Sequence, residues 1–212
     1  MTARAFDGYE ILSDERIGDG GFLRLRRVRL CVRRDDGTRS PPGLYDFVER
    51  PMGQDAVVVV LWHRAADGVR VLLRHAPRVP LYFRDPAFGR DHAEVVAGII
   101  ERGEDDWAAI QKRAAAEAHE EAGLVIAPDA VERLGPAVFP TAGLFAELFH
   151  FAAAEVTDPA RAVRPPTDGS PFEEGARLEW VGIDEALRRC DDGGVRDLKT
   201  ELALRRLRAK IQ

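Results

Sequence analysis

Three glutamates, Glu117, Glu120 and Glu121, stand inside the alanine-rich run RAAAEAHEEAGL that ends the segment 113–124. Steps of three and four put all three carboxylates on one face of a helix, where like charges repel by roughly a few tenths of a kcal/mol per pair. Such a face is either solvated surface or a seat for hard divalent cations. Mg²⁺ takes carboxylate and water oxygens and often bridges protein carboxylates to substrate phosphates. Glutamates without His or Cys ligands do not suit zinc or copper. Arg113 lies four residues before Glu117 and is in register to pair with it, whereas Glu120 and Glu121 have no basic partner on the helix.

The elements that must hold this face can be read around it. Asp105 or Asp106 caps the helix, Gly123 stops it, and Trp107, Ile110, Ala114, Ala118 and Ala122 form a narrow apolar stripe. Upstream, AGIIERGE (residues 97–104) is a strand end that turns through two glycines and delivers a further carboxylate, Glu104. AVVVVLWHR, from Ala56, is a valine-rich run expected of a strand buried on both faces, and VRVLLRHAP pairs back onto it. RVPLYFRDPAFGRDHAEVVAG reads as a long loop that ends in the strand AEVVAG, and loops of that length are usually functional or mobile. Further strands are expected at RLGPAVFP, ELFHFAAAEV and RLEWVGI, then a short helix DEALRRC and an amphipathic one from Asp197.

The first fifty residues read differently, as short strands with a DDGT turn and too little apolar content for an independent core. The expected organisation is a β extension over residues 1–52 and a main domain over 53–212. Strands and helices mix without β-α-β alternation, so the fold class is α+β.

Composition narrows the function. With 45% hydrophobic and 32% charged residues the 212-residue chain is an ordinary globular protein, and a formal charge of −5 gives no general attraction to nucleic acid. Cys31 and Cys190 form no metal or disulfide pattern, the start MTARAFDGYEIL is not a signal peptide, and no apolar run is long enough to span a membrane. A soluble cytoplasmic protein is expected. His75 and His119 are expected at the surface, since a lone histidine beside a carboxylate pair is no zinc motif.

GIIERGE…EAHEEAGL resembles the Nudix box, G-x5-E-x7-R-E-U-x-E-E-x-G-U with U apolar, through Gly98, Glu104, Glu117, Ala118, Glu120, Glu121, Gly123 and Leu124. Two departures stand out. Twelve residues separate Glu104 from Glu117 where the pattern has eight, and Ala116 stands where the pattern has arginine. Arg113, one turn back, is the candidate to orient the glutamates instead. YDFVERP…VRVLLRHAPR, FPTAGLFAELFHF and FEEGARLEW also resemble the ADP-ribose pyrophosphatase branch of that family.

The resemblance implies an α/β/α sandwich around a mixed sheet, with a small N-terminal antiparallel sheet. It implies hydrolysis of the diphosphate in ADP-ribose or a related nucleoside diphosphate sugar, dependent on Mg²⁺ or Mn²⁺. Glu117, Glu120, Glu121, Glu104 and the carbonyl of Ala97 would form the metal site. Glu173 or Glu174, or else Glu120, would be the general base. Arg74 and Arg78 are candidate phosphate clamps, Glu147 a metal or substrate ligand, and Phe22, Tyr82, Phe83 and Phe88 candidates to stack a base. The branch's N-terminal strands form a homodimer, which implies the same here. The alternative is a Nudix-fold nucleotide-binding or sensing protein that turns over weakly or not at all.

Overall fold

The computed structural model describes residues 6–18, 21–104, 106–163 and 176–211. The chain divides into two compact units, residues 1–54 with 141–147, and residues 55–140 with 148–212. The segment Thr141–Glu147, expected with the main domain, therefore belongs to the smaller unit.

That unit is a three-stranded antiparallel sheet of β1 (Phe6–Ile17), β2 (Arg24–Arg34) and β3 (Gly43–Glu49), in that order. The alternating arginines of β2 place their guanidiniums over acids of the neighbouring strands. Glu49 accepts from Arg24 at 3.0 Å and Arg26 at 2.8 Å, and Arg27 forks onto Asp46. Val48 N–H donates to the Leu144 carbonyl and the Tyr45 hydroxyl to that of Gly143, which fastens the 141–147 loop to β3.

The larger unit is a seven-stranded mixed sheet. Its main order is β10 (Arg177–Gly182), β5 (Gly68–Ala76), β4 (Ala56–Ala65), β9 (Phe149–Glu155) and β8 (Glu132–Arg133). β4 and β9 run parallel and the other pairs antiparallel. The continuous apolar run of β4 makes sense here, because both faces are covered. Val57, Val59 and Leu61 pack with Ile110, Ala114, Ala118 and Ala122 of helix α3 (Trp107–Ala122). Val58, Val60 and Trp62 pack with helices α4 (Ile183–Asp192) and α5 (Leu198–Ile211), whose Leu204 and Leu207 are fully buried. Burial of each such leucine is worth roughly 2 kcal/mol. The result is the expected α+β sandwich, helix α3 on one face and α4 with α5 on the other.

The loop expected over residues 78–92 contains two short helices, α1 (Val79–Arg84) and α2 (Pro86–Gly89). Prolines sit at the first helical positions, where a missing N–H costs nothing, so the residues read as loop breakers are here helix starters. The strand AEVVAG divides into β6 (His92–Glu94), paired with β5, and β7 (Val96–Ile99), paired with β4. At the changeover Val95 N–H donates to Thr200 Oγ1 at 2.9 Å, so a buried donor between two ladders is satisfied by α5. Among the described residues no helix is long and apolar enough to cross a membrane.

Candidate metal centre and active site

Helix α3 begins where its sequence says it should. Asp106 caps it, accepting from Ala109 N–H at 2.7 Å. It ends at Gly123 in the left-handed conformation (φ 66°), whose N–H closes onto Ala118 and His119 carbonyls. A β-carbon at Gly123 would lie 1.9 Å from the Val163 carbonyl oxygen, so only glycine fits both the turn and the neighbour. The alanine stripe brings α3 close to the sheet, and that closeness builds the site.

Glu117 lies directly against Gly98 of β7. A β-carbon on Gly98 would fall 1.8 Å from Glu117 Oε1, so the carboxylate occupies the space that a side chain would fill. One turn on, Glu121 Oε2 accepts from Ala97 N–H at 3.2 Å, and its Oε1 lies 3.6 Å from Arg74 Nη1. Burial pushes the Glu121 carboxyl upward, partly offset by Arg74 and the Ala97 N–H. Glu120 is exposed at the rim. Ala97, Gly98, Glu117 and Glu121 thus meet, whereas of the other expected metal ligands Glu120 lies at the rim and Glu104 is engaged elsewhere.

Arg113 takes a different partner from the one its spacing suggests. Its Nε and Nη2 donate to the two oxygens of Glu104 at 3.2 and 3.1 Å, and Nη2 also reaches Glu101 at 3.0 Å. Its charge still acts on Glu117 through space. Glu104 additionally accepts from Glu101 N–H at 2.8 Å, closing its own turn. Burial raises the Glu104 carboxyl, but Arg113 and that N–H outweigh it and hold it below the usual range. Both oxygens of Glu104 are therefore engaged, and the residue braces the loop to the lengthened helix.

The remaining expected residues are dispersed. Arg74 is buried against Glu121, while Arg78 donates through Nε to Glu94 at 2.7 Å and through Nη2 to the same oxygen. Phe22 and Glu147 lie in the smaller unit, on either side of Arg50. The Arg50 guanidinium lies over the Phe22 ring at 5.6 Å and that of Phe145 at 5.4 Å, and it donates to Glu147 at 2.7 Å. Glu173 and Glu174 fall outside the described residues. His75, expected at the surface, is buried, because β5 is covered on both faces. Its Nε2 lies 2.9 Å from Glu179 and its Nδ1 2.9 Å from Arg177.

A second carboxylate group, not expected from the sequence, lies at β6. His92, Glu94 and Asp197 bring ligand atoms within 4.8 Å of one another. Lys199 bridges two of its members, 2.5 Å from Glu94 and 2.9 Å from Asp197. An ammonium already supplies the cation, so this cluster ties α5 to β6. Its signal in the sequence was a glutamate inside the apolar strand AEVVAG.

No family model matches the sequence, and no curated protein matches it. Solved structures do. An Ap4A hydrolase of C. elegans aligns over 76% of this chain and 100% of its own at 18% identity, with a TM-score of 0.48. The NUDIX domain of Shewanella oneidensis NrtR, complexed with ADP ribose, aligns over 76% of this chain and 89% of its own at 10% identity, with a TM-score of 0.51. The chain has the Nudix fold. Within that fold the box-like residues Gly98, Glu117, Glu121 and Gly123 make the contacts described above, and the donor set suits a hard cation. Carboxylate oxygens of Glu117 and Glu121 lie where Gly98 leaves room and beside the Ala97 N–H.

Proposed function

We propose that the protein hydrolyses the diphosphate linkage of ADP-ribose or a related nucleoside diphosphate sugar, giving a nucleoside monophosphate and a sugar phosphate. The observation that carries this reading is the seat of Glu117 on Gly98 beside Glu121, because a carboxylate pair pressed onto a strand serves little as a solvated surface. Glu117, Glu120, Glu121 and the Ala97 carbonyl would hold Mg²⁺ or Mn²⁺. Bound there, such ions neutralise the diphosphate, lower the pKa of water and stabilise the leaving oxygen.

The chain's own residues do the positioning. Arg74 opposes the burial that would protonate Glu121, and so keeps that carboxylate available to a cation. Arg113 and Glu104 fix the loop before α3, in the role that the box arginine has in the family pattern. The proton from the attacking water passes to a carboxylate, Glu120 at the rim or Glu173 or Glu174. Arg74 and Arg78 are read as neighbours of the bound phosphates, and Phe22 and Glu147 as substrate contacts. The smaller unit, which exposes Phe6, Tyr9, Ile11 and Leu44, is read as the homodimerisation element.

The test is phosphomonoester release from ADP-ribose, nucleoside diphosphate sugars and dinucleoside polyphosphates, with Mg²⁺ and with Mn²⁺. Metal-dependent cleavage of one class is expected. It should fall about a thousandfold or more in Glu117→Gln, in line with the several kcal/mol a catalytic metal supplies. Ala116 favours the alternative, a nucleotide-binding protein with little turnover, and binding of ADP-ribose without cleavage across the panel would establish it.

A further inference from the structure

A cleft of about 540 Å³ opens in the larger unit between the α1–α2 segment and the turn that joins α4 to α5. Its size falls within the roughly 300–1,000 Å³ usual for small-molecule sites. Arg84, Phe88, Asp91 and His92 line one side, and Gly193 and Arg196 the other. None of the glutamates of α3 takes part.

The charge in this cleft is one-sided. Among the described residues neither Arg84 nor Arg196 is paired with a carboxylate, in contrast to Arg78 six residues before Arg84. The one acid in the lining, Asp91, is matched by Arg177 at 2.9 Å and approached by His75 at 3.3 Å. Two guanidiniums therefore remain uncompensated across an opening of small-molecule size. An Arg fork is the side chain best shaped for phosphate oxygens.

The walls are built to hold these groups. Asp85 caps α2 by accepting from Ala87 N–H at 2.9 Å, and Gly89 packs so closely on α1 that a β-carbon there would lie 2.1 Å from Tyr82 N. Arg196 is set by a 2.8 Å hydrogen bond from Nε to the Gly193 carbonyl and by the Phe88 ring, 4.9 Å from its guanidinium carbon. That leaves its two terminal nitrogens as donors. At Gly193 a β-carbon would come within 3.2 Å of Arg196 Nε, so the glycine keeps the guanidinium's place clear.

We infer that this cleft is a binding site for a phosphorylated small molecule, its phosphate held by Arg84 and Arg196 and its body lying along Phe88 and His92. Such a ligand is either a phosphate remote from the scissile bond, as the dinucleoside polyphosphates of the panel carry, or a separate molecule, and the two sources share the same contacts.

Calorimetric titration with inorganic phosphate, ribose 5-phosphate and AMP tests the site. EDTA is present throughout, so that nothing bound through metal at the α3 glutamates contributes and failure of the hydrolase reading leaves this result unaffected. Binding of at least one probe is expected, weakened about tenfold or more in Arg84→Gln and in Arg196→Gln and less in Arg196→Lys. Arg90→Gln removes an equal charge outside the lining and should leave affinity unchanged. All three positions are exposed, and thermal melts check that the four variants fold. A raised KM with unchanged kcat in Arg196→Gln would assign the cleft to the substrate. An unchanged KM with lost probe binding would assign it to a separate ligand. Absence of binding by every probe, or equal loss in Arg90→Gln, would overturn the site.

Discussion

Two groups of carboxylates flank the same broken strand, and they have come to different ends. At β6, Glu94 and Asp197 enclose the Lys199 ammonium and Arg78 closes the far side of Glu94. At β7, Glu117 and Glu121 lie against Gly98 and Ala97, with Arg74 at 3.6 Å from one oxygen and Arg113 directed at Glu104. The first group contains its own cation and works as a structural tie. The second has Arg74 beside Glu121 and Arg113 on Glu104, and is the group proposed to take an ion from solution.

The comparison can be broken by removing the built-in cation. Lys199→Met takes the ammonium from buried Glu94 and half-buried Asp197 and should cost about 3 kcal/mol, read by chemical denaturation at neutral pH. Acid dependence should change with it. Burial pushes the Asp197 carboxyl up, but hydrogen bonds from His92 and Thr200 and the charge of Lys199 outweigh this and hold it well below the usual range. A depressed carboxylate stabilises above its unfolded pKa of about 3.9, and that contribution is lost as pH falls through the folded value. Wild-type stability should therefore decline below about pH 4, and the decline should be shallower in Lys199→Met.

On the other side of the strand the largest structural lever is Gly98. Gly98→Ala places a methyl where Glu117 now lies and should lower kcat about a hundredfold, the scale expected for a displacement of about 1 Å at a reacting centre. A smaller loss, about tenfold, is expected for Arg113→Gln, which frees Glu104 but leaves Glu117 on its glycine. Smallest of all, Ala116→Arg in the wild-type background should change kcat by less than about threefold, because Arg113 already braces the loop. Steady-state kinetics on the best substrate of the panel decides all three.

What could be read in the sequence was local. A cap at Asp105 or Asp106, the stop Gly123, the alanine stripe and the shared face of the glutamates all follow from residue types and helical spacing. The double burial of β4 follows from its unbroken valine run. What escaped reading depends on contacts across the chain. Thr200 satisfies Val95 and Lys199 meets Glu94 from more than a hundred residues away, and no periodicity announces either. Arg78 offered a free guanidinium on sequence grounds and is instead bound to a strand glutamate that an apolar pattern had hidden. Likewise Phe22 and Glu147, distant in sequence, are joined through Arg50 in the smaller unit.

The face of α3, and not the cluster at β6, is proposed to take the divalent ion. Mn²⁺ titration followed by electron paramagnetic resonance measures this without requiring turnover. Binding in the wild type, lost in Glu117→Gln and in Glu121→Gln and retained in Asp197→Asn, is the predicted result. Binding that survives both α3 substitutions, or that disappears with Asp197→Asn in a folded protein, would contradict it.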